Sequence, residues 1–330
     1  MSAPPRRPTI KDVARGAGVS FQTVSRAING KSEVDPETRR RVLEVARQMG
    51  YRPSRHARAL VASAVDTIGV IVPDMVNPFY PVLIQGVIDA AAMRDWRVVV
   101  TTSDGRPEDE ARLVGSMSGQ VDALIGYFNQ NGPLTAGDSD GIALVRLDLE
   151  GPLLAGGGVR IEVEAGVAAA VDHLVARGRG RPVMIDCSES CDRVVRRASF
   201  LASTARHGLD VGEDRVAMAE QTVAAGAAAA AELLDRHPDA DALFGFNDLV
   251  AIGALRALRA RGVRVPQDCA VVGFDGLTVG ELVTPALTSV RLNTRRLGAL
   301  AVDQVRELLA GPGSVEPATL SCELVVRDSS

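Results

Sequence analysis

Apolar residues recur at helical spacing in three short stretches at the start of the chain, and each stretch follows residues that favour a helix start. Thr9 and Asp12 have the spacing of a capping box, and Ser20 is a suitable N-cap for the second stretch. Asp35-Pro36 combines an N-cap residue with a proline at the first helical position. The pattern therefore predicts three short helices around one small core.

The third stretch carries one apolar stripe and stops at Gly50. The segment 52–60 that follows is too basic and too short to bury a face of its own, although its residues from Ser54 onward favour a helix. We expect this segment to fold only against a partner. The stripe consists of Val42, Val45, Ala46 and Met49.

From Thr67 onward, short apolar runs alternate with amphipathic stretches of helical length. The runs begin at residues 67, 98, 123, 142, 182, 242 and 270, and the helical stretches include 80–93, 108–117, 165–175 and one ending near 206. This alternation is typical of βαβ units, which build parallel sheets that bind ligands at the carboxyl ends of their strands. The predicted fold is a small all-α helix-turn-helix head and an α/β body of two doubly wound parallel-sheet lobes.

The two parts of the chain differ in the sign of their charge. Residues 1–60 contain 13 Lys and Arg against 5 Asp and Glu, whereas the remaining residues contain 24 against 36. A basic head indicates a polyanionic partner. No apolar h-region follows the basic N-terminus and no apolar run is long enough to span a membrane, so we expect a cytoplasmic protein.

Cysteine and histidine patterns give no sign of a metal centre or a catalytic site. The four cysteines lack the paired spacing of a zinc site, and the four histidines lie far apart in the sequence. Gly156-Gly157-Gly158 is not followed by the Lys-Ser/Thr of a phosphate-binding loop, and its position suits a flexible crossover between lobes. We expect reduced thiols, no metal, no cofactor and no enzymatic activity.

The second predicted helix presents side chains suited to reading DNA. Phe21, Gln22, Ser25 and Arg26 lie on the face opposite Val24, near the start of the helix. Side chains of these types contact base edges and phosphates when a helix enters the major groove. This stretch is therefore interpreted as a recognition helix.

Two segments of the head, TIKDVARGAGVSFQTVSRAING (9–30) and VDPETRRRVLEVARQMGYRPSRHARAL (34–60), closely resemble the N-terminal signature of the lactose/galactose repressor family. The resemblance implies that the helix from Ser54 is a hinge helix in the minor groove and that Leu60 wedges between base steps, bending the operator. The alternative is that Leu60 is an ordinary linker residue. The DNA-contact residues implied are Thr9, Ile10, Ser20, Phe21, Gln22, Thr23, Ser25, Arg26, Asn29, Tyr51, Ser54, His56, Ala57 and Leu60.

The resemblance continues through the body in VPDMVNPFY (72–80), HLVARG (173–178) and the segments 242–268 and 270–291. It implies two lobes like those of periplasmic sugar-binding proteins, with an effector between them. The chain would cross between the lobes near 158–161, 290–293 and 317–321. The implied domains are a head at 1–53, a hinge helix and linker at 54–63, and an effector-binding and dimerisation body at 64–330.

By the same resemblance, seven residues would contact the effector: Phe79, Tyr80, Asp148, Arg196, Gln221, Asn247 and Asp275. The carboxylates would accept hydrogen bonds from ligand hydroxyls, Arg196 and Asn247 would donate hydrogen bonds to the ligand, and the aromatic rings would line the cleft. Structural roles remain open as alternatives, namely Asn247-Asp248 as a helix cap, Arg196 as a surface charge and Tyr80 as a core residue. Such a mixture suits a polyhydroxylated ligand, because each buried hydroxyl needs a partner.

The chain departs from the family pattern at several positions. Gln221 stands where the family often has an aromatic residue that stacks on the ligand, and Gly276 replaces a second aspartate. Arg179 replaces the usual histidine after HLVARG, and the usual R-x-x-G-F reads RRASF at 196–200. The identity of the effector therefore does not follow from the resemblance.

The prediction is a homodimeric repressor that binds palindromic double-stranded operator DNA and responds to a small ligand, most simply a sugar. When bound to its operator it would be associated with the nucleoid. Four alternatives stay open: an activator, a regulator that needs a corepressor, a sugar-binding transport protein, and an α/β enzyme that uses Asp148 and Asp275 as an acid/base pair.

Overall fold

The computed structural model describes residues 9–28, 34–49, 67–128, 142–148, 156–187, 195–311 and 314–330, which divide into two units, one on either side of residue 65. The predicted domain boundaries around 54–63 lie outside the described residues. So do six predicted DNA contacts: Asn29, Tyr51, Ser54, His56, Ala57 and Leu60.

The head contains three helices, α1 (Ile10–Ala17), α2 (Phe21–Ile28) and α3 (Pro36–Gln48). The predicted caps are confirmed. The backbone N–H and hydroxyl of Thr9 donate to the Asp12 carboxylate at 2.8 and 2.7 Å, and the Ser20 hydroxyl accepts from the Thr23 N–H at 3.1 Å. Asp35 accepts two N–H groups of the first turn of α3 at 3.0 and 3.1 Å. Local sequence therefore fixes where each helix begins.

The three helices pack around one small core, as predicted. Its buried members are Val13, Ala14, Ala17, Val24, Ala27, Val42 and Ala46. The turn between α1 and α2 uses Gly18 at φ +66°, a conformation that favours glycine. Met49, the last residue of the predicted stripe, follows the end of α3 and is 41% exposed, although its sulfur lies beside Gly16 of α1 together with Val45.

Each lobe of the body is built on a six-stranded sheet. The first sheet has the order β11-β5-β4-β3-β1-β2 and is parallel at every pairing. Its own elements are β1 (Thr67–Val72), α4 (Phe79–Ala92), β2 (Arg97–Thr102), α5 (Pro107–Met117), β3 (Ala123–Gly126), β4 (Ala143–Leu147) and β5 (Gly157–Ile161), and later α11 (Thr294–Ala310) and β11 (Ala318–Leu320) complete the lobe.

The second sheet has the order β12-β10-β9-β8-β6-β7, and the pairing of β10 with β12 is antiparallel. The elements of this lobe are α6 (Val163–Ala176), β6 (Pro182–Cys187), α7 (Val195–Arg206), β7 (Val216–Ala219), α8 (Val223–Arg236), β8 (Ala242–Gly245), α9 (Asp248–Ala260), β9 (Ala270–Asp275), α10 (Val279–Leu282), β10 (Thr288–Leu292) and β12 (Cys322–Val325). No helix in the described ranges is long and apolar enough to cross a membrane.

The chain passes between the lobes three times, close to the predicted places. It leaves the first sheet after Ile161, returns to it after Leu292 through α11, and passes from β11 to β12 at residue 321. The interpretation of Gly157 and Gly158 as a flexible crossover is wrong, since both lie in β5. Gly158 donates its N–H to the Gln304 side chain at 3.1 Å, so the glycines allow close packing against α11.

Candidate functional site

The carboxyl ends of strands from both lobes enclose one small cavity in the body. Asn77, Phe79 and Tyr80 follow β1, and Tyr127 follows β3. From the other lobe, Arg196 lies on α7, Gln221 follows β7, Phe246 follows β8 and Asp275 ends β9. Parallel sheets bind ligands at this edge, so the position of the cavity agrees with the fold.

The first lobe contributes a cluster of aromatic rings. Phe79, Tyr80 and Tyr127 contact one another edge to face, with ring centres 5.4 to 5.8 Å apart. Asn77 fixes the start of α4 by accepting the Phe79 N–H at 3.0 Å. The Tyr127 hydroxyl donates to the Asp148 carboxylate at 2.7 Å. This wall is therefore largely aromatic but carries the polar groups of Asn77 and the two tyrosines, and one carboxylate lies directly behind it.

The second lobe contributes a buried guanidinium. Arg196 lies between two aromatic rings, 4.2 Å from the centre of Phe246 and 4.0 Å from that of Phe274. It donates to the Phe246 carbonyl at 2.6 Å and lies 3.7 Å from Asp275. Only 5% of Arg196 is exposed, so the alternative of a surface charge is wrong. Stacking and pairing together hold the guanidinium in one place.

Asp275 is a buried carboxyl with a perturbed pKa and an unusual backbone conformation. Burial raises its pKa to about 8, while Arg196 acts to lower it and the nearby Asp248 and Asp148 act to raise it. Its φ of +106° lies in a region that residues with a side chain rarely adopt. Perturbed pKa values and backbone outliers of this kind concentrate at functional sites.

Asn247 has the helix-capping role that the sequence left open, and its amide also contacts a residue of the cavity wall. Its side-chain oxygen caps α9 by accepting the Val250 N–H at 3.0 Å. Its amide nitrogen donates to the Gln221 side chain at 3.1 Å, and Gln221 lines the cavity. The amide is thus fixed in orientation by the helix that it caps.

The structure brings five of the seven predicted effector residues to the cavity wall: Phe79, Tyr80, Arg196, Gln221 and Asp275. Asp148 and Asn247 are not part of the described wall, but each hydrogen-bonds a residue that is. Tyr80 is also part of the core, as its alternative held. Their roles toward a ligand stay predictions.

Sequence reasoning missed three residues of the wall, namely Asn77, Tyr127 and Phe246. Tyr127 and Phe246 immediately follow β3 and β8, so the rule that ligands bind at the carboxyl ends of strands was a usable signal for both. Asn77 precedes α4 within the stretch 72–80, in which the sequence predicts only the aromatic residues Phe79 and Tyr80 as site residues.

The cavity is about 20 Å³, which is room for roughly one water molecule. Sites for small organic ligands usually measure about 300 to 1,000 Å³. A ligand the size of a sugar therefore requires the cavity to widen, and separation of the two walls is the simplest way, since they belong to different lobes.

In the head, the predicted DNA-reading face of α2 is accessible. Phe21 is 53% exposed although it is a large apolar residue, and Ser20, Gln22 and Arg26 are exposed beside it. The other described members of the predicted set, Thr9, Ile10, Thr23 and Ser25, are half-buried. Thr9 is also used in capping α1. Contact of these residues with DNA stays a prediction.

Comparison with family models matches both units. Residues 9–54 match the bacterial regulatory proteins of the lacI family, and residues 171–330 match a periplasmic binding protein-like domain. The chain is 36% identical to the HTH-type transcriptional regulator CelR of Thermobifida fusca, over 98% of each chain. It is 31% identical to catabolite control protein A of Priestia megaterium, over 89% of this chain and 90% of that one.

Comparison with solved structures finds the same class of protein. A transcriptional regulator CelR–cellobiose complex superposes with a TM-score of 0.74 at 32% identity, covering 98% of this chain and 100% of that one. A LacI family regulator from Arthrobacter sp. FB24 in complex with lactose gives 0.72 at 32% identity, covering 80% and 99%. A lac repressor dimer bound to operator gives 0.73 at 25% identity, covering 98% and 99%.

These relatives are transcription regulators rather than enzymes, and the match extends over nearly the whole chain. With a helix-turn-helix head and a body like periplasmic binding proteins, the chain belongs to the lacI family of bacterial regulatory proteins and is a DNA-binding transcription regulator.

Proposed function

We propose that this chain is a repressor whose affinity for a palindromic operator is changed by a neutral sugar bound between the lobes of the body. The observation that carries the proposal is the cavity itself, where both lobes bring hydrogen-bonding side chains to one place. Two relatives of known structure hold cellobiose and lactose. A ligand that contacts both lobes favours one lobe arrangement over another, which is the basis of allosteric control.

The charges of the wall favour a neutral ligand. Among the described residues that line the cavity, Arg196 is the only cation, and it is already paired with Asp275 and stacked between two rings. Asp148 adds a second carboxylate behind Tyr127. An anionic group would find Arg196 already donating to the Phe246 carbonyl and stacked between two rings, whereas sugar hydroxyls can hydrogen-bond to the Asp275 and Asp148 carboxyl groups in either protonation state.

On the DNA side, α2 is proposed to read the major groove through Phe21, Gln22 and Arg26. The segment from Ser54 to Leu60 is proposed, from its sequence, to occupy the minor groove of the operator centre. Base contacts specify and phosphate contacts position, so changes in α2 should alter sequence preference more than total affinity. We propose that the protein acts in the bacterial cytoplasm and joins the nucleoid when bound.

The body is proposed to form the homodimer through the outer edge strands β2 and β7 of its two sheets, as they stand among the described residues. Strands β11 and β12 are edge strands of their sheets, and only one residue separates them, so these two edges lie next to each other. Strands β2 and β7 form the opposite edges of the two sheets. Val99 on β2 is 47% exposed and Met218 on β7 is 42% exposed. Exposed apolar edge strands are normally covered. A second copy related by a two-fold axis would cover them and match a palindromic operator.

The experiment that tests the proposal has two stages at one stated salt concentration, because phosphate contacts make affinity salt-dependent. First, the full chain selects duplexes from a random pool, and a palindrome should be enriched. Second, cellobiose, lactose, glucose, glucose 6-phosphate and gluconate are added to the selected complex. Release by a neutral sugar supports the proposal, and release by an anionic sugar alone contradicts the neutral ligand.

A corepressor mechanism is the second candidate, and the same experiment separates it. In that case a ligand strengthens the selected complex instead of releasing it. The small cavity favours neither direction, because widening can either permit or prevent the operator-bound arrangement.

A further inference from the structure

Asp248 is a fully buried carboxylate that lies behind the cavity wall. It contacts β9, the segment after β9, and β10. It is the first residue of α9, directly after Asn247. One of its oxygens accepts the Ser289 hydroxyl at 2.5 Å, and the other accepts the Leu277 N–H at 2.5 Å. Asp248 thus joins the start of α9 to the chain after β9 and to β10.

Ser289 extends this link by one hydrogen bond. Its hydroxyl oxygen accepts the Gly276 N–H at 3.1 Å while its proton goes to Asp248. The backbone N–H groups of the two residues after Asp275 therefore both donate hydrogen bonds to the Asp248–Ser289 pair. Because Asp275 has a φ of +106°, it keeps that conformation only if its surroundings fix it. The pair supplies this fixation directly on the C-terminal side of Asp275.

The packing around the carboxylate leaves it little freedom. A Cβ at Gly273 of β9 would collide with an oxygen of Asp248, so the strand lies directly against the carboxylate. Ser289 lies on β10, which ends at Leu292, where the chain passes to the other lobe. The Asp248 carboxylate therefore links three parts of the lobe: the start of the helix that Asn247 caps, the segment directly after Asp275, and the strand that leads to a crossover.

We propose that Asp248, acting through Ser289, is the positioning residue of the effector site, holding Asp275 in its ligand-facing conformation and coupling it to the crossover strand β10. This inference rests on the proposed function, because it concerns how the same cavity is organised. It adds a role for two residues that do not line the cavity.

The charge state of Asp248 agrees with that role. The Ser289 hydroxyl and the Leu277 N–H both donate to its oxygens, and these hydrogen bonds favour the ionised carboxylate. Burial raises the pKa of Asp248 to about 7, while the hydrogen bonds from Ser289 and Leu277 and the charges of Arg327 and Arg196 lower it. Measurements on the pair are therefore made at pH 8, above that value.

The test uses the full chain with Ser289→Ala, Asp248→Asn and the double variant. The matched control is Ser203→Ala, which also removes a buried hydroxyl from the second lobe but lies on α7, where Ser203 contacts Arg206. Hydrogen exchange is measured for the amides of Gly276 and Leu277, and the dissociation constant is measured for the sugar that releases the operator.

We expect Ser289→Ala to speed exchange at Gly276 and Leu277, with α9 still protected, and to weaken sugar binding roughly tenfold. The double variant should bind no more weakly than the worse single variant, because the pair acts as one unit. Unchanged exchange at both amides, or equal losses in Ser203→Ala, would overturn the proposal. If no sugar binds the unchanged protein, the proposed function fails, while the exchange measurement still decides the positioning role.

Discussion

The guanidinium of Arg196 lies 4.0 Å from the ring centre of Phe274, a residue that does not itself line the cavity. Phe246 covers the guanidinium at 4.2 Å. A planar cation between two rings is stabilised in a way that a lysine ammonium cannot reproduce. This cavity-lining side chain is thus positioned by two aromatic residues of its own lobe.

Arg196→Lys should therefore lower the free energy of unfolding of the body by about 1 to 3 kcal/mol and weaken sugar binding at least tenfold. Denaturant titration and calorimetric binding measure the two effects. The neighbouring Arg197 is partly exposed and lies 3.7 Å from Asp186, so Arg197→Lys is the matched control and should lose clearly less of both. Equal losses in the two variants would contradict the stacking argument.

The two roles of Asn247 can be separated by substitution. Asn247→Ser keeps an N-cap oxygen for α9 but removes the amide that donates to Gln221, whereas Asn247→Ala removes both. We expect Asn247→Ala to cost about 1 kcal/mol of stability and Asn247→Ser to cost a few tenths. Both should weaken sugar binding to a similar degree. If Asn247→Ala instead weakened sugar binding much more than Asn247→Ser, in line with its larger loss of stability, the cap alone would account for the role of Asn247.

The raised pKa of Asp275 predicts a pH dependence of stability with a definite sign. The folded protein binds this proton up to about pH 8, whereas the unfolded chain releases it near the ordinary value of 3.8, so ionisation destabilises the fold as pH rises between these values. Asp275→Asn removes that effect. The unfolding free energy of the variant relative to the unchanged protein should therefore increase with pH across this window and level off above it.

Asp268→Asn is the control for this measurement. Arg264 lowers the pKa of Asp268 to about 2, so any stabilisation from that pair is complete by about pH 5 and is lost only at lower pH. Its difference from the unchanged protein should be flat from about pH 5 to pH 8. Parallel curves for Asp275→Asn and Asp268→Asn would refute the assignment of the pH dependence to Asp275.

The proposed dimer surface predicts that charge on the β2 and β7 edges disrupts association. Val99→Arg and Met218→Arg should shift the protein from dimer to monomer in sedimentation, because a buried unpaired charge is unfavourable. Val326→Arg is the control, since Val326 is also 47% exposed but follows β12, at the opposite edge of its sheet. Dimers that persisted in both edge variants would exclude this surface.

Gln22→Ala tests the reading of α2. We expect relaxed preference at one base position of each half-site, with a loss of about 1 to 3 kcal/mol on the best sequence and little change on unrelated DNA. Leu60→Ala, predicted from the sequence, should weaken specific binding and spare non-specific binding. Equal losses on all DNA in both variants would assign the two residues to general affinity.

The sequence predicted the head closely because its signals are local. Capping pairs such as Thr9 and Asp12 act over three residues, and the turn glycine Gly18 is needed whatever surrounds it. The parallel-sheet body was also predictable from apolar runs that alternate with helices. Three helices of the body, α8, α10 and α11, were not predicted. Half of the residues of α8 are alanine, and small residues give a weak apolar pattern.

Resemblance supplied most of the cavity residues, but the sequence could not show how they are connected. Gln221 and Asn247 are 26 positions apart, and Asp248 and Ser289 are 41 apart, so their contacts exist only once strands and helices have packed. By itself the sequence determined the helix starts, the alternation of elements and the charge of the head, because these depend on neighbours along the chain. Only the tertiary structure decided which carboxylates are buried, which arginine is stacked and how small the cavity is, since burial and pairing depend on residues that are distant in sequence.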